Sequence, residues 1–226
     1  MAIDLIIFDL DGTLVDSKLD LAQSVNATRR RYALPSIEND LVYSYVGNGA
    51  PVLIRKALGP DYGEAENQKA LEYFLGYYRE HMLDHTTLYP GVRESLDRLR
   101  DEGIRLSVLT NKPVHFSRDI LAGLGVSGHF FRVYGGNSFE QKKPDPMGVY
   151  ALLSESGVSR ERAMIVGDSG VDVLTARNAG VAVCGVTYGF QPETLQEQRP
   201  DFTVDRMEQL ADRLIVGRKE NHNRES

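Results

Sequence analysis

The chain has 226 residues, 42% of them hydrophobic and 26% charged, with a formal net charge of −6. This composition predicts an ordinary globular protein with one large domain, or a core domain with an inserted subdomain. The negative charge argues against a general nucleic-acid-binding protein, which would carry a basic face. The single cysteine, Cys184, excludes an internal disulfide and suits a reducing cytosol. No apolar run resembles a signal peptide or approaches the ~20 residues of a membrane span, so we expect a cytoplasmic protein without a membrane partner.

The first predicted element is a strand over residues 4–9, which ends in a concentration of like charges. In the stretch IIFDLDGTLVDS, Asp9 and Asp11 stand two residues apart at the end of an apolar run. Residues i and i+2 of a strand face the same side, so the two carboxylates are brought together. Clustered carboxylates are unfavourable unless a cation neutralises them, and the stretch therefore indicates a metal site.

The next interval, residues 18–88, has helical periodicity and no convincing strand. One helical pattern begins at Leu19 and ends near Pro35, and a second runs from about Glu64 to Met82. An insert of about 70 residues is too long for a crossover connection. We therefore predict an all-helical cap domain over residues 17–88, and a catalytic core made of residues 1–16 and 89–226.

Beyond the insert, short apolar runs alternate with amphipathic helical patterns. The runs cover residues 104–110, 130–135, 163–168 and 181–187. Continuous apolar runs are typical of strands that are buried on both faces of a parallel sheet. The core is therefore predicted to be α/β, a doubly wound, Rossmann-like parallel sheet.

In such a sheet the carboxyl ends of the strands share one edge, where ligands bind. The residues that fall there include Thr110, Asn111 and Asp168, with Lys143 in the loop after the third core strand. Oxygen ligands suit Mg²⁺, and carboxylates, a hard metal, a lysine and a hydroxyl together suit a phosphoryl group. Asp9 could then attack phosphorus and form an aspartyl-phosphate, while Asp11 protonates the leaving oxygen and later activates water.

Four stretches, FDLDGTLVDS, LTNK, KKPDP and VGDSGVD, resemble in order the motifs of the haloacid dehalogenase superfamily. The resemblance implies that Asp9 is the nucleophile and Asp11 the general acid and base. It gives the phosphate contacts to Thr110, Asn111 and Lys143. Mg²⁺ would be held by Asp9, the backbone carbonyl of Asp11 and Asp168, with Asp172 supporting these ligands.

The resemblance also narrows the expected reaction. Asp11 favours phosphoryl transfer, because dehalogenases of the superfamily typically lack it. The segments YVGNGAPVLIRKAL, KKPDP and GVTYGF are similar to the branch that hydrolyses phosphoglycolate, so 2-phosphoglycolate is the specific substrate expected. A sugar-phosphate phosphatase, a β-phosphoglucomutase-like phosphomutase and a non-catalytic phosphate-binding protein remain alternatives, and the oligomeric state stays open.

The predicted cap contributes three further candidates, Gly47, Asn48 and Gly49. Glycines would let the backbone approach a small substrate, and Asn48 could donate a hydrogen bond to it. The alternative is a plain turn between helices. Two lysines beside the motifs, Lys112 and Lys142, are expected to have no role in the site.

Overall fold

The structure, a computed structural model, describes the backbone of residues 2–225 and the side chains of residues 2–218. Its strands are β1 (Leu5–Phe8), β2 (Val15–Asp16), β3 (Thr87–Leu88), β4 (Arg105–Leu109), β5 (Arg132–Tyr134), β6 (Ala163–Gly167), β7 (Ala182–Val186) and β8 (Phe202–Val204). Its helices are α1 (Lys18–Arg31), α2 (Asn39–Tyr43), α3 (Ala50–Leu58), α4 (Glu64–His81), α5 (Val92–Asp101), α6 (Val114–Gly123), α7 (Met147–Ser156), α8 (Gly170–Ala179), α9 (Thr194–Gln198) and α10 (Met207–Glu225). Within the part of the chain that the structure describes, no helix is long and apolar enough to cross a membrane.

Six strands form one parallel sheet in the order β5-β4-β1-β6-β7-β8. The first strand lies inside the sheet, with Leu5 beside Arg105 of β4 and Ala163 of β6. From β1 the chain builds outward to β5 on one side and to β8 on the other. This is a doubly wound α/β sheet, and the predicted fold class is confirmed.

Two apolar layers cover the faces of the sheet, and β1 contributes alternately to both. Ile6 and Phe8 belong to the cluster packed by α5, α6 and α10, whereas Leu5 and Ile7 belong to the cluster packed by α7, α8 and α9. The alternation follows from the two-residue period of a strand. Each such side chain contributes about 1.5–3 kcal/mol on burial, which explains why all four residues of β1 are apolar.

Helices α1–α4, which we call the helical insert, lie between β2 and β3. These two short strands pair antiparallel, so the chain leaves the core and returns to it at one place. Nearby, the buried Asp20 carboxylate accepts hydrogen bonds from the backbone N–H groups of His85 and Thr86 and from the Thr86 hydroxyl. These contacts fasten the first helix of the insert to the returning chain.

The helical patterns at 19–35 and 64–82 correspond to α1 and α4, and the five predicted core strands are all present. The expectation of no strand in 18–88 is wrong at its end, where β3 occupies Thr87–Leu88. Helices α2 and α3 and strand β8 were not predicted, because five, nine and three residues are too short for a clear period. The division into a core domain and a cap domain stays a prediction.

Candidate active site

Three neighbouring strands end in the polar residues singled out by the sequence. Asp9 follows β1, Thr110 follows β4 and Asp168 follows β6. Because β4, β1 and β6 are adjacent and parallel, these three residues converge at one edge of the sheet. The backbone fixes two of them directly, since Asp9 N–H donates to Val166 O at 2.9 Å and Thr110 N–H to Tyr134 O at 3.1 Å.

The edge holds a cluster of three carboxylates, Asp9, Asp168 and Asp172. One oxygen of each lies within 4.8 Å of the others. Burial raises the pKa of Asp168 to about 8, reinforced by the charges of Asp172 and Asp9. Burial also raises the pKa of Asp9 to about 6, although the Lys143 ammonium opposes the shift. Both shifts have the same cause: the negative charges are crowded in a place that water cannot solvate.

The residues present fit a hard divalent cation. The buried Oδ1 of Asp9 is paired with Lys143 Nζ at 2.9 Å, and the same ammonium also donates to Asp172. A side chain at Gly12 or Gly189 would overlap the Asp168 carboxylate, so the backbone is packed close around these oxygens. Three crowded carboxylates beside one ammonium leave an excess of negative charge, and an all-oxygen donor set of this kind suits Mg²⁺. The ligand set of Asp9, the Asp11 carbonyl and Asp168 stays a prediction.

Asp172 has both oxygens engaged by protein donors. Lys143 Nζ donates to Oδ1 at 2.6 Å, and the Ser169 hydroxyl and N–H donate to Oδ2 at 2.7 and 3.2 Å. The Ser169 contacts form a capping box at the start of α8. Asp172 therefore fixes Lys143 and the turn after β6, which suits its predicted supporting role.

Asn111 joins three parts of the site. Its amide nitrogen donates to Lys143 O at 3.1 Å and to Gly47 O of the helical insert at 3.0 Å. Its Oδ1 is buried and, within the described part of the chain, has no partner. The side-chain nitrogen thus ties the loops together, and the oxygen is the atom that faces no donor.

Asp11 makes contacts that were not predicted. Its Oδ1 accepts from the Ser17 hydroxyl at 2.5 Å, and Lys112 Nζ donates to Oδ1 and Oδ2 at 3.1 and 3.0 Å. The same Lys112 Nζ donates to Tyr78 Oη at 2.7 Å. Burial alone would lower the pKa of the Lys112 ammonium, but the Asp11 charge and the Tyr78 contact raise it, so Lys112 is a cation.

Contrary to expectation, Lys112 is not idle: its side chain is buried and paired with Asp11. Its position within the stretch LTNK, two residues after Thr110, was the available signal. That signal was missed because the residues contacting Lys112, Asp11 and Tyr78, are 101 and 34 positions away in sequence.

The helical insert covers the edge and leaves a cleft with about 680 Å³ of free space, part of it open to solvent. Gly47 and Gly49, with φ of 108° and 86°, line the cleft. Asn48 is not among the described residues that line the cleft. Its backbone carbonyl accepts a hydrogen bond from Lys142 Nζ at 2.7 Å. Most of the insert's contribution is an apolar wall that sequence reasoning did not assign to the site: Leu21, Val46, Ala50, Leu53, Phe74, Leu75 and Tyr78.

Comparison with known proteins points to one family of hydrolases. Residues 6–186 match the sequence model of the haloacid dehalogenase-like hydrolases. The phosphoglycolate phosphatase of Vibrio vulnificus strain YJ016 is 40% identical over 223 residues, which are 95% of this chain and 97% of that protein. The phosphoglycolate phosphatase of Haemophilus influenzae strain 86-028NP is 40% identical over 214 residues, 91% of this chain and 96% of that protein.

A solved structure is similar over the same length. The crystal structure of a predicted phosphoglycolate phosphatase from Haemophilus somnus 129PT has a TM-score of 0.87 and 36% identity. The match covers 95% of this chain and 98% of that one. The likeness therefore includes the helical insert as well as the sheet.

Proposed function

The chain belongs to the haloacid dehalogenase-like hydrolase family and is a phosphatase, and we propose that it is a Mg²⁺-dependent phosphomonoesterase whose substrate is 2-phosphoglycolate. The observation that carries the proposal is the cluster of Asp9, Asp168 and Asp172 at one sheet edge, where Lys143 Nζ lies 2.9 Å from Asp9 Oδ1 and Thr110 ends the neighbouring strand. A carboxylate held beside a fixed cation in a cluster of negative charges is the arrangement that a metal ion and a phosphoryl group would complete.

In the proposed reaction, a carboxylate oxygen of Asp9 attacks phosphorus. The new bond joins that oxygen to phosphorus, the bond from phosphorus to the ester oxygen breaks, and Asp11 gives its proton to the departing oxygen. Asp11 then removes a proton from water, and the resulting hydroxide attacks the aspartyl-phosphate at phosphorus. Phosphate leaves, Asp9 is restored and Asp11 is again protonated, so atoms and charges balance over the cycle.

The transferred phosphoryl group carries negative charge that the site is able to hold. Lys143, which Asp172 fixes through a hydrogen bond of 2.6 Å, provides a positive charge that does not reorganise during the reaction. The Thr110 hydroxyl lies at the same edge and offers a donor. When bound by Asp9, Asp168 and the Asp11 carbonyl, Mg²⁺ would neutralise the clustered carboxylates and the phosphoryl oxygens.

The helical insert would act as the cap that selects a small substrate. It closes over the phosphate end of the cleft with Gly47 and Gly49 and with an apolar wall. A two-carbon leaving group needs little room, and the two phosphoglycolate phosphatases of Vibrio and Haemophilus are similar over nearly the whole chain, insert included. Exclusion of water by this cover would favour transfer to Asp9 over side reactions.

The test is phosphate release from a panel of small esters with and without Mg²⁺. We expect release from 2-phosphoglycolate to exceed release from hexose phosphates, and Asp9→Asn to lose activity while its circular dichroism spectrum is unchanged. Release from none of the esters would refute the phosphatase, and full activity of Asp9→Asn would refute the nucleophile. Faster turnover of hexose phosphates would show that the substrate is a sugar phosphate and not 2-phosphoglycolate.

A further inference from the structure

Lys112 and Tyr78 contact Asp11 in a way that the reaction above does not use. We propose that Lys112, held by Tyr78 of the helical insert, positions the Asp11 carboxyl for proton transfer, so that seating of the insert and alignment of Asp11 are one event. The inference rests on the proposed function, because Asp11 transfers protons only if the chain cleaves phosphate esters through Asp9.

The Asp11 carboxylate is held from two directions. Lys112 follows β4 of the core, and its Nζ lies 3.0–3.1 Å from both Asp11 carboxylate oxygens. The Ser17 hydroxyl lies 2.5 Å from Asp11 Oδ1. Charge-assisted hydrogen bonds are shorter and stronger than neutral ones, so this pair of donors fixes the plane of the carboxyl group. An acid or base must lie within hydrogen-bond reach of the atom it serves, and a fixed plane meets that requirement.

Lys112 in turn depends on the insert. Its side chain is only 6% exposed, and a buried ammonium is costly unless its donors are satisfied. Besides Asp11, it has the hydroxyl of Tyr78 at 2.7 Å and the ring of Tyr78 with its centroid 4.6 Å away. Movement of α4 away from the core would remove both contacts and leave Lys112 free to shift with Asp11.

Tyr78 is fixed by rings from both sides of the boundary. Its ring stacks on Phe74 of the insert with centroids 5.7 Å apart, and it makes an edge-to-face contact with Phe116 of core helix α6 with centroids 5.4 Å apart. Aromatic pairs of this kind add to the energy of burial and fix orientation. The hydroxyl of Tyr78 therefore reaches Lys112 only when the insert is packed on α6.

Substrates with different leaving groups distinguish a positioning role of Lys112 from a structural role or a role in substrate binding. Ethyl phosphate needs a proton on its departing oxygen, whereas p-nitrophenyl phosphate releases a stable anion without one. For either ester, kcat/KM reports the attack by Asp9, while kcat also includes breakdown of the aspartyl-phosphate, in which Asp11 must activate water.

The experiment compares Lys112→Met and Tyr78→Phe with the wild-type protein and with Tyr77→Phe as the matched control. Tyr77 lies on the same helix, but its ring stacks on His81 with centroids 4.3 Å apart. Each protein is assayed with 2-phosphoglycolate, ethyl phosphate and p-nitrophenyl phosphate at saturating Mg²⁺. Asp11→Asn gives the reference pattern for the loss of the acid and base.

We expect Lys112→Met to lower kcat/KM about 100-fold for the two alkyl esters, 2-phosphoglycolate and ethyl phosphate. For the aryl ester, p-nitrophenyl phosphate, the loss should be less than about threefold. Its kcat for the aryl ester should fall, with an initial burst of one nitrophenolate per active site. Tyr78→Phe removes one oxygen atom and should show the same pattern with losses of about tenfold. Tyr77→Phe should match the wild-type protein.

Two results would overturn the inference. Equal losses of kcat/KM for alkyl and aryl esters would show a purely structural role, and a loss confined to 2-phosphoglycolate would show that Lys112 binds the substrate carboxylate directly. If Lys112→Met fails to fold, Tyr78→Phe decides alone. Failure of the proposed function is recognised separately: the wild-type protein would release no phosphate, or Asp11→Asn would lack the reference pattern.

Discussion

The two sides of the cleft are built in different ways. The side proposed to hold the metal, which we call the metal side, is made of Asp9, Asp168, Asp172 and Lys143. These core residues lie at strand ends, in a loop and in the first turn of α8. The insert side, made of Asp11, Lys112, Tyr78 and the loop 44–49, is assembled across the boundary between the core and the helical insert. The sheet topology alone brings the first group together, whereas the second depends on how the insert is seated. Damage to the metal side should therefore affect both stability and the attack by Asp9, and damage to the insert side should affect mainly proton transfer and substrate binding.

The largest effect is expected from Lys143→Met on the metal side. The Lys143 side chain is 4% exposed and its ammonium contacts Asp9 and Asp172, so its removal leaves buried carboxylates without their cation. Breaking a buried ion pair costs about 3–5 kcal/mol, and loss of a preorganised charge costs about 100-fold or more in kcat. Urea unfolding and phosphate release measure the two losses.

The neighbouring Lys142 provides the control for this change. It is exposed, and its ammonium donates to a backbone carbonyl, Asn48 O, rather than to a carboxylate. Lys142→Met should change the free energy of unfolding by less than about 0.5 kcal/mol. If the two lysine variants were equally unstable, the distinction between the two sides would be lost.

A smaller effect on the metal side is expected from Gly189→Ala. The new Cβ would overlap the Asp168 carboxylate, and the resulting shift should cost about 1–3 kcal/mol of stability. Saturating Mg²⁺ should raise the thermal unfolding midpoint of the wild-type protein, as any ligand of the native state does, and raise it much less in the variant. Calorimetry with and without Mg²⁺ provides this measurement without an activity assay.

Gly76→Ala is the matched glycine control. Gly76 lies within α4, and in the described chain, apart from its own stretch of helix, no atom lies within 4 Å of the place that a Cβ would take. The substitution should stabilise the helix by roughly 0.5–1 kcal/mol and leave the response to Mg²⁺ unchanged. An unchanged response in Gly189→Ala as well would contradict the crowding around Asp168.

The smallest effect is expected from Gln191→Ala on the insert side. Gln191 Nε2 donates to Ser44 O at 3.2 Å and to Val46 O at 2.7 Å, and so holds the loop 44–49 on the core. Its loss should raise KM for the substrate about fivefold, the equivalent of ~1 kcal/mol, with kcat nearly unchanged. The exposed Gln196 in α9 supplies the control, Gln196→Ala, for which steady-state kinetics should be unaltered.

The same contrast explains what the sequence could predict. Apolar runs locate the buried strands, and parallel topology then places Asp9, Thr110 and Asp168 at one edge without further information. Tyr78 falls within the helical pattern predicted over residues 64–82, and it is buried. Nothing in that spacing shows that its hydroxyl reaches Lys112.

Contacts made through the backbone were also beyond prediction. Asn111, Lys142 and Gln191 all donate to carbonyls of the loop 44–49, and every residue type carries such a carbonyl. The side-chain types in the loop therefore do not indicate which carbonyl is used. Asn48 was chosen for its amide, but its contact with the core is through its carbonyl.

The central position of β1 has a consequence for how the protein is made. Leu5 pairs with Arg105 and Ala163, so the strand that carries Asp9 waits for about 100 residues of chain before its first neighbour exists, and longer for its second. The helices of the insert, whose contacts are local, can form during that interval. Until both neighbours are in place, an apolar strand of four residues stays without partners and is open to aggregation. Asp9, the proposed nucleophile, is therefore fixed in place only long after it has been synthesised.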